Sequence, residues 1–352
     1  MVGSDHLFEK VISIENLLKA WAEFADGKKN RPDVMLFAQN LMSNILELNK
    51  DLNNFQYQHA SYEQFNITDP KPRIIHKATV RDRLLHRAVY RVLYPLFDQT
   101  FIFDSYSCRE NKGTHRAFFR LVDFSKRVSC NNTHVSWALK CDIRKFFHSI
   151  DQKILIKLLV QRIEDGRLMN LLKKLIESFE CSLGKGMPLG NLTSQLFANI
   201  YLDSLDKFVK HKLKVKYYLR YADDFILLTE NRELLLEYLK NIESFLSEQL
   251  KLSLHPDKII LRKLNWGLDF VGYVAYPKFN LPRRRTVQRI FVKLEKIKVQ
   301  KTEQFNRSLQ SYLAHLKHVD TYKLSAKIAT IFDINSENKF KKLSPDTIEI
   351  NR

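Results

Sequence analysis

The chain has 352 residues, 45% of them hydrophobic, with 58 Lys and Arg against 39 Asp and Glu and a formal net charge of +19. That length suits two or three domains with a sizeable core, and the positive excess points to a polyanionic partner, nucleic acid ahead of an anionic membrane. No apolar run approaches the ~18–20 residues of a membrane-spanning helix, no basic stretch leads into an apolar one at the N-terminus, and only 9 Gly and 9 Pro exclude collagenous or low-complexity classes.

Apolar residues recur at helical spacing over 8–24 and 33–52, as in Val34, Phe37, Leu41, Ile45 and Leu48. Residues 53–78 read as extended and turn-rich, with Pro70, Pro72 and a strand-like run from Arg73 to His76. Leu84, Leu85, Ala88, Val89, Val92 and Leu93 form one stripe and predict a helix over 80–97. Residues 137–143 predict a buried strand, followed by helices near 151–163 and 168–180. Gly184, Gly186, Pro188 and Gly190 interrupt the chain before a helix over 192–213. Two short strands around a turn (215–220 and 224–228), a helix over 231–250 and strands over 257–263 and 268–276 come next. From about residue 280 the composition turns basic, while Ile290, Leu294 and Ile297 keep a helical apolar stripe. Cys108, Cys130, Cys141 and Cys181 form no CxxC pair and no zinc spacing, so they read as reduced thiols of a cytoplasmic protein, a disulfide pair being the lesser reading.

The stretch Tyr221-Ala222-Asp223-Asp224 sets two acids side by side between β-prone apolar runs. Adjacent carboxylates repel one another. A packed turn tolerates them where a cation is meant to sit; a solvated surface turn is the ordinary alternative. Asp142 ends a second apolar strand. Three carboxylates meeting from two strands would suit two Mg²⁺ ions roughly 3.5–4 Å apart, the arrangement of phosphoryl-transfer sites.

These residues resemble the palm of reverse transcriptases. Tyr-Ala-Asp-Asp matches that family's metal-binding hairpin, and Asp142-Ile143 with Phe146-Phe147 matches its first metal strand. Arg73 in Lys-Pro-Arg-Ile-Ile resembles the fingers arginine that holds the incoming triphosphate, and residues 80–86 resemble the helix after it. Gly186-Met187-Pro188-Leu189-Gly190 leading into Ser194-Gln195 is similar to the loop and helix under the templating base pair. Leu254 to Lys258 resembles the element whose lysine approaches the leaving pyrophosphate, and Leu268 to Tyr273 the primer grip. The likeness covers about residues 65–280.

The resemblance implies an α+β right-hand polymerase. N-terminal helices and fingers would occupy 1–135 with part of 152–190, a palm with an antiparallel sheet packed on helices 136–280, and a basic helical thumb 281–352. It implies catalytic Asp142, Asp223 and Asp224, with these and Ile143 at two Mg²⁺ ions, Mn²⁺ substituting. Nucleotide contacts would come from Arg73, Ile143, Phe147, Leu189, Gly190, Ser194, Gln195 and Lys258. Phe147 would act as a steric gate against a ribose 2′-hydroxyl; a core aromatic is its plainer reading. Lys258 reads equally as a surface cation. Primer and template contacts would fall to Phe270, Gly272, Tyr273, Arg283, Arg284, Arg285 and Arg289, the arginines touching phosphates without reading sequence. His76, His86, His115 and His148 are not spaced as metal ligands and read as structural or facing nucleic acid.

Within the bacterial group-II-intron-like superfamily, the Ser194-Gln195 form, Asn111 to Ala117 and Leu281 to Thr286 resemble reverse transcriptases of diversity-generating retroelements. Ala222 departs from many members, which carry Met. The length left after the palm leads us to expect no maturase, nuclease or RNase H module. The resemblance implies error-prone copying of a template-repeat RNA into cDNA, chiefly at template adenines, for mutagenic retrohoming into a variable gene. Partners would be template RNA, cDNA primer, dNTPs and an oligomeric basic accessory variability protein, with no membrane. A bacterial, archaeal or phage-encoded origin follows. Two alternatives stand beside it: a retron-like or phage-defence reverse transcriptase, and a catalytically inactive RNA-binding scaffold.

Overall fold

The computed structural model describes residues 6–68, 72–298 and 303–331. Four helices open the chain: α1 (Leu7–Ile12), α2 (Ile14–Ala25), α3 (Pro32–Gln39) and α4 (Leu41–Asn53). The expected two long helices are each broken once, at Ser13 and Asn40. Ser13 leaves the helical region and its hydroxyl accepts the Asn16 N–H, capping α2. An antiparallel hairpin follows, β1 (Glu63–Ile67) and β2 (Arg73–Lys77), with Ile67 opposite Arg73. Then comes α5 (Val80–Asp98), started by Thr79, whose hydroxyl caps the Asp82 N–H. Of its predicted stripe Leu84, Leu85, Ala88, Val89 and Leu93 are closed to solvent, and Val92 is half-buried. Each large side chain there contributes ~1.5–3 kcal/mol.

Next in order are α6 (Thr114–Val128), β3 (Trp137–Asp142), the single turn α7 (Phe146–Ser149), α8 (Gln152–Val160), α9 (Gly166–Glu177) and α10 (Leu192–Lys207). Residues 208–212 widen into a π turn and end the predicted 192–213 helix early. The hairpin β4 (Tyr217–Tyr221) and β5 (Asp224–Thr229) leads into α11 (Arg232–Gln249) and β6 (Ile260–Lys263). The strand expected over 257–263 is shorter, because Pro256–Lys258 forms a 3₁₀ turn. The strand expected over 268–276 is a hairpin. β7 (Leu268–Phe270) turns at Val271 and Gly272, both left-handed, into β8 (Tyr273–Ala275), which pairs antiparallel with β9 (Asn280–Pro282). Three helices close the described chain: α12 (Arg284–Lys298), α13 (Glu303–Leu316) and α14 (Tyr322–Ile331). Pro70, Lys301 and residues 332–352 of the expected thumb lie outside the described residues.

The fold is α+β with antiparallel sheets, and the chain divides into two compact units. The first takes residues up to 113, 140–227 and 233–260. At its centre α10 is buried on nearly every face, including Thr193, Ser194, Asn199, Asp203 and Asp206. A helix wrapped all round is a core helix. The main sheet runs in the order β4-β5-β3-β6. The second unit takes 114–139, 228–232 and the chain from 261 onward. It holds the β7-β8-β9 meander, with Phe118 of α6 tilted against Tyr273 at 5.0 Å between ring centres. Its helical core joins Ile290 and Leu294 of α12 to Leu309, Leu313 and Leu316 of α13 and Ile328 of α14. No helix among the described residues is long and apolar enough to cross a membrane.

Candidate active site

Strand order places β5 between β4 and β3, so the Asp223–Asp224 turn and the end of β3 lie at one edge of the same sheet. The Ile143 N–H donates to the Asp223 carbonyl at 3.2 Å, tying the two segments together directly. On the other side of β3, the His255 N–H donates to the Asp142 carbonyl at 2.8 Å and the Arg144 N–H to that of Ser253 at 2.9 Å. The sheet therefore brings Asp142 and the acidic turn together from distant parts of the chain.

The turn has two residues, Ala222 and Asp223. Ala222 is left-handed (φ 55°), a conformation that glycine adopts at less cost. It is held by Arg220, whose guanidinium is completely buried and donates to the Ala222 carbonyl at 3.0 Å. The same guanidinium grips Asp206 through two nitrogens and reaches Asn199 Oδ1 and Ser105 Oγ. Tyr218 also donates to Asp206, at 2.7 Å.

The three acids feel one another. Burial, then the neighbouring Asp142 and Asp224 charges, push the Asp223 carboxyl up to about 6. Asp224 is also raised, chiefly by burial, with Asp142 adding to the shift and Lys140 opposing it. Two lysines offset the negative charge: Lys258 Nζ donates to Asp142 Oδ1 at 2.7 Å, and the nearly buried Lys140 lies 3.5 Å from Asp224 Oδ2. Asp224 Oδ1 is buried with no hydrogen-bond partner among the described residues. An orphaned buried carboxylate oxygen, set among like charges and oxygen donors only, fits a hard divalent cation such as Mg²⁺.

The remaining residues singled out in the sequence fall as follows. Ile143 is buried in the β3 edge, and Phe146 is a core ring as expected, whereas Phe147 is half-buried. The Phe147 carbonyl accepts the Met187 N–H at 2.8 Å, which fixes the 186–190 loop beside it. The loop also docks on β2: the His76 N–H donates to the Leu189 carbonyl at 3.0 Å. A Cβ on Gly190 (φ +119°) would stand 2.9 Å from Ile75 Cγ2, so only glycine lets the loop approach β2 this closely. Leu189 is half-buried, Ser194 buried, and Gln195 and Arg73 exposed. Beside Ser194, the Thr193 hydroxyl bonds His86 Nδ1 at 2.8 Å.

In the second unit, Phe270 and Tyr273 are completely buried. Tyr273 stacks on His315 and donates to its carbonyl at 2.9 Å. These rings lie in the core, and the turn at Val271–Gly272 stands between them. Arg283 pairs with Asp269. Arg284 and Arg285 are exposed at the start of α12, and Arg289 is half-buried. All four cysteines are free thiols; Cys141 is a buried small residue and the other three are exposed.

Sequence reasoning missed Arg220, Asp206 and Lys140. A basic residue inside the apolar run Tyr217–Tyr221 was the available signal, since a buried guanidinium needs a buried acid. It missed α6 too, although Ala117, Phe118, Leu121, Phe124 and Val128 carry a helical period.

Residues 63–275, more than half of the chain, match the family described as reverse transcriptase (RNA-dependent DNA polymerase). The chain is 26% identical over 232 residues to protein YkfC of Escherichia coli, covering 55% of this chain and 60% of that protein. It is 23% identical over 263 residues to the group II intron-encoded protein LtrA of Lactococcus lactis, covering 55% and 43%. It thus spans less than two thirds of these relatives. Among solved structures, apo telomerase from Candida tropicalis aligns with a TM-score of 0.49 at 13% identity, covering 76% of this chain and 56% of that one. On the family match and its extent, the chain belongs to the reverse transcriptase family.

Proposed function

We propose that this protein is an RNA-directed DNA polymerase that extends a primer on an RNA template by nucleotidyl transfer. The observation that supports it most is the junction of Asp142 with the Asp223–Asp224 turn, sealed by the Ile143-to-Asp223 hydrogen bond and carrying an unpartnered buried oxygen on Asp224. In the reaction the primer 3′-hydroxyl oxygen bonds to the α-phosphorus of a dNTP and pyrophosphate leaves. Bound divalent ions, Mg²⁺ with Mn²⁺ as a substitute, supply activation of that hydroxyl and neutralisation of charge at phosphorus. Asp142, Asp223, Asp224 and the Ile143 carbonyl would hold them.

The protein's own groups do the rest. Arg73 on β2 takes the triphosphate, and Lys258 passes from Asp142 to the leaving pyrophosphate. Phe147 closes the sugar pocket against a 2′-hydroxyl. Leu189, Gly190, Ser194 and Gln195 support the nascent base pair. The turn at Gly272 and the arginines 283, 284, 285 and 289 position primer and template through phosphates. In the right-hand description, fingers take 1–135 with part of 152–190, palm 136–280 and thumb 281–352.

The finer reading is an enzyme of a diversity-generating retroelement. It copies a template-repeat RNA with errors at adenines and works with a basic oligomeric accessory protein. The support is in residue types: the Ser194-Gln195 pair, and an apolar Leu189 where a hydrogen-bonding side chain would discriminate more sharply. Leu189→Gln is expected to lower misincorporation opposite template adenine; an unchanged error spectrum counts against that role. For the polymerase itself the test is primer extension on RNA with Mg²⁺ and dNTPs. Incorporation by the wild type and its loss in Asp223→Asn are expected, whereas equal incorporation by both would end the proposal.

A further inference from the structure

After α6 the chain passes through three successive left-handed residues, none of them glycine: Cys130 (φ 47°), Asn131 (φ 57°) and Asn132 (φ 70°). Such backbone is disfavoured for Cys and tolerated better by Asn, and a run of three is held in place by surrounding bonds. Here the Asn131 N–H donates to the Lys126 carbonyl at 2.8 Å and the Asn132 N–H to Ser129 Oγ at 2.9 Å. The N–H groups of Thr133 and His134 both donate to the Ser129 carbonyl at 2.9 Å. The Asn132 amide is tied to the Pro277 carbonyl at 3.0 Å. The loop thereby presents Cys130 and His134 together, and Glu230, one residue past β5, meets them. One ligand atom from each of the three lies within 4.8 Å of the others, and His134 Nδ1 stands 3.9 Å from Glu230 Oε2. All three residues are exposed.

We propose that Cys130, His134 and Glu230 bind one divalent transition metal of zinc's class. A thiolate, an imidazole and a carboxylate are the three donor types that zinc accepts, at ~2.3 Å for sulfur and ~2.0–2.2 Å for nitrogen and oxygen. Those bond lengths set donor-to-donor edges of ~3.3–3.6 Å in a tetrahedron. The donors already approach that size, and small rotations of three exposed side chains close the remainder. Mg²⁺ and Ca²⁺ are excluded by the sulfur, since hard cations take oxygen donors. An exposed His–Glu contact contributes little alone and leaves the neighbouring thiol without a role. Binding as the thiolate releases the Cys130 proton to solvent. Three protein ligands leave a fourth position for water. The metal would fasten the strained 130–134 loop to the segment following β5. Neither half of the ligand set suffices alone: Cys130 and His134 are near in sequence, but the third donor lies about a hundred positions further on.

The test uses the full chain and Co²⁺ as a spectroscopic probe. Titration is expected to raise a near-ultraviolet thiolate-to-cobalt absorption that saturates at one equivalent. Zn²⁺ should abolish the band, and excess Mg²⁺ should leave it unchanged. Cys130→Ser should remove it, while Cys108→Ser and Cys181→Ser keep it. His134→Ala and Glu230→Gln should weaken Zn²⁺ binding beyond the ~10–100-fold cost of losing an outer-shell partner. Circular dichroism verifies that the variants are folded. A wild type without the band, or a band that survives in Cys130→Ser, overturns the proposal.

Discussion

Arg220 and Asp206 form an ion pair with neither side chain exposed, Nη2 to Oδ2 at 2.6 Å and Nε to Oδ1 at 2.8 Å. The pair joins the last turn of α10 to β4 and, through the Ala222 carbonyl, to the acidic turn. A buried pair is weak support for stability as a whole, but removing one partner strands a charge in the core. Arg220→Ala is therefore expected to cost ~3–5 kcal/mol in chemical denaturation. Arg220→Lys keeps the charge and loses the planar fork. It should retain more stability than Arg220→Ala and still slow nucleotide incorporation. A Lys variant with wild-type incorporation would separate the pair from the turn.

Asp223 is held against its own preference, buried beside Asp142 and Asp224. Asp223→Asn removes a buried like charge, so it should end incorporation and at the same time stabilise the metal-free protein by ~1 kcal/mol. Denaturation midpoints without divalent ions check this. A lower midpoint in the variant would contradict the electrostatic account.

Gly190 permits the contact of its loop with β2. In Gly190→Ala the new Cβ meets the branched Ile75 side chain at 2.9 Å and the His76 carbonyl at 3.4 Å, with φ at +119°. The loop must lift, at a cost of ~1–3 kcal/mol. The expected result is a raised KM for dNTPs in primer extension with a smaller change in kcat. An unchanged KM would remove the loop from the nucleotide pocket.

His86 is buried between Thr193 Oγ1 at 2.8 Å on Nδ1 and His59 Nε2 at 3.2 Å on Nε2, with Asp82 close by. Burial, and then His59, press its pKa down to about 3, against the ordinary 6.5. The folded protein thus keeps His86 neutral where the unfolded chain protonates it. Its contribution to stability is complete above pH 6.5 and falls as pH drops from 6.5 towards 3, by on the order of a few kcal/mol at the lower end. His86→Asn should flatten that acid limb in denaturation midpoints measured between pH 7 and pH 4. A limb as steep as in the wild type would assign the acid sensitivity to other groups.

Much of the site could be read in the sequence because it sits on strands and turns whose patterns are local. Asp142 closes an apolar run, and Asp223–Asp224 interrupts another, so their strands are legible in the sequence. The Asp206–Arg220 link was not, because α10 shows no polar face to suggest what its acids bond to. The hairpin at 271–272 looks like one strand in the sequence because the residues around it, Phe270 and Tyr273, are both apolar enough to be core. The junction of Cys130 and His134 with Glu230 depends on the end of β5 and the loop after α6 becoming neighbours, which no periodicity encodes.

The turn at Ala222 is fastened by its main-chain oxygen, and its methyl group takes no part in that anchorage. The two acids that follow it are accordingly held by the backbone rather than by the side chain at this position. Libraries randomised at this codon should yield competent enzymes chiefly among residues that tolerate a left-handed backbone, glycine and asparagine foremost, and few with β-branched side chains. The position is a dial for engineers, set in a frame that the neighbouring guanidinium keeps still.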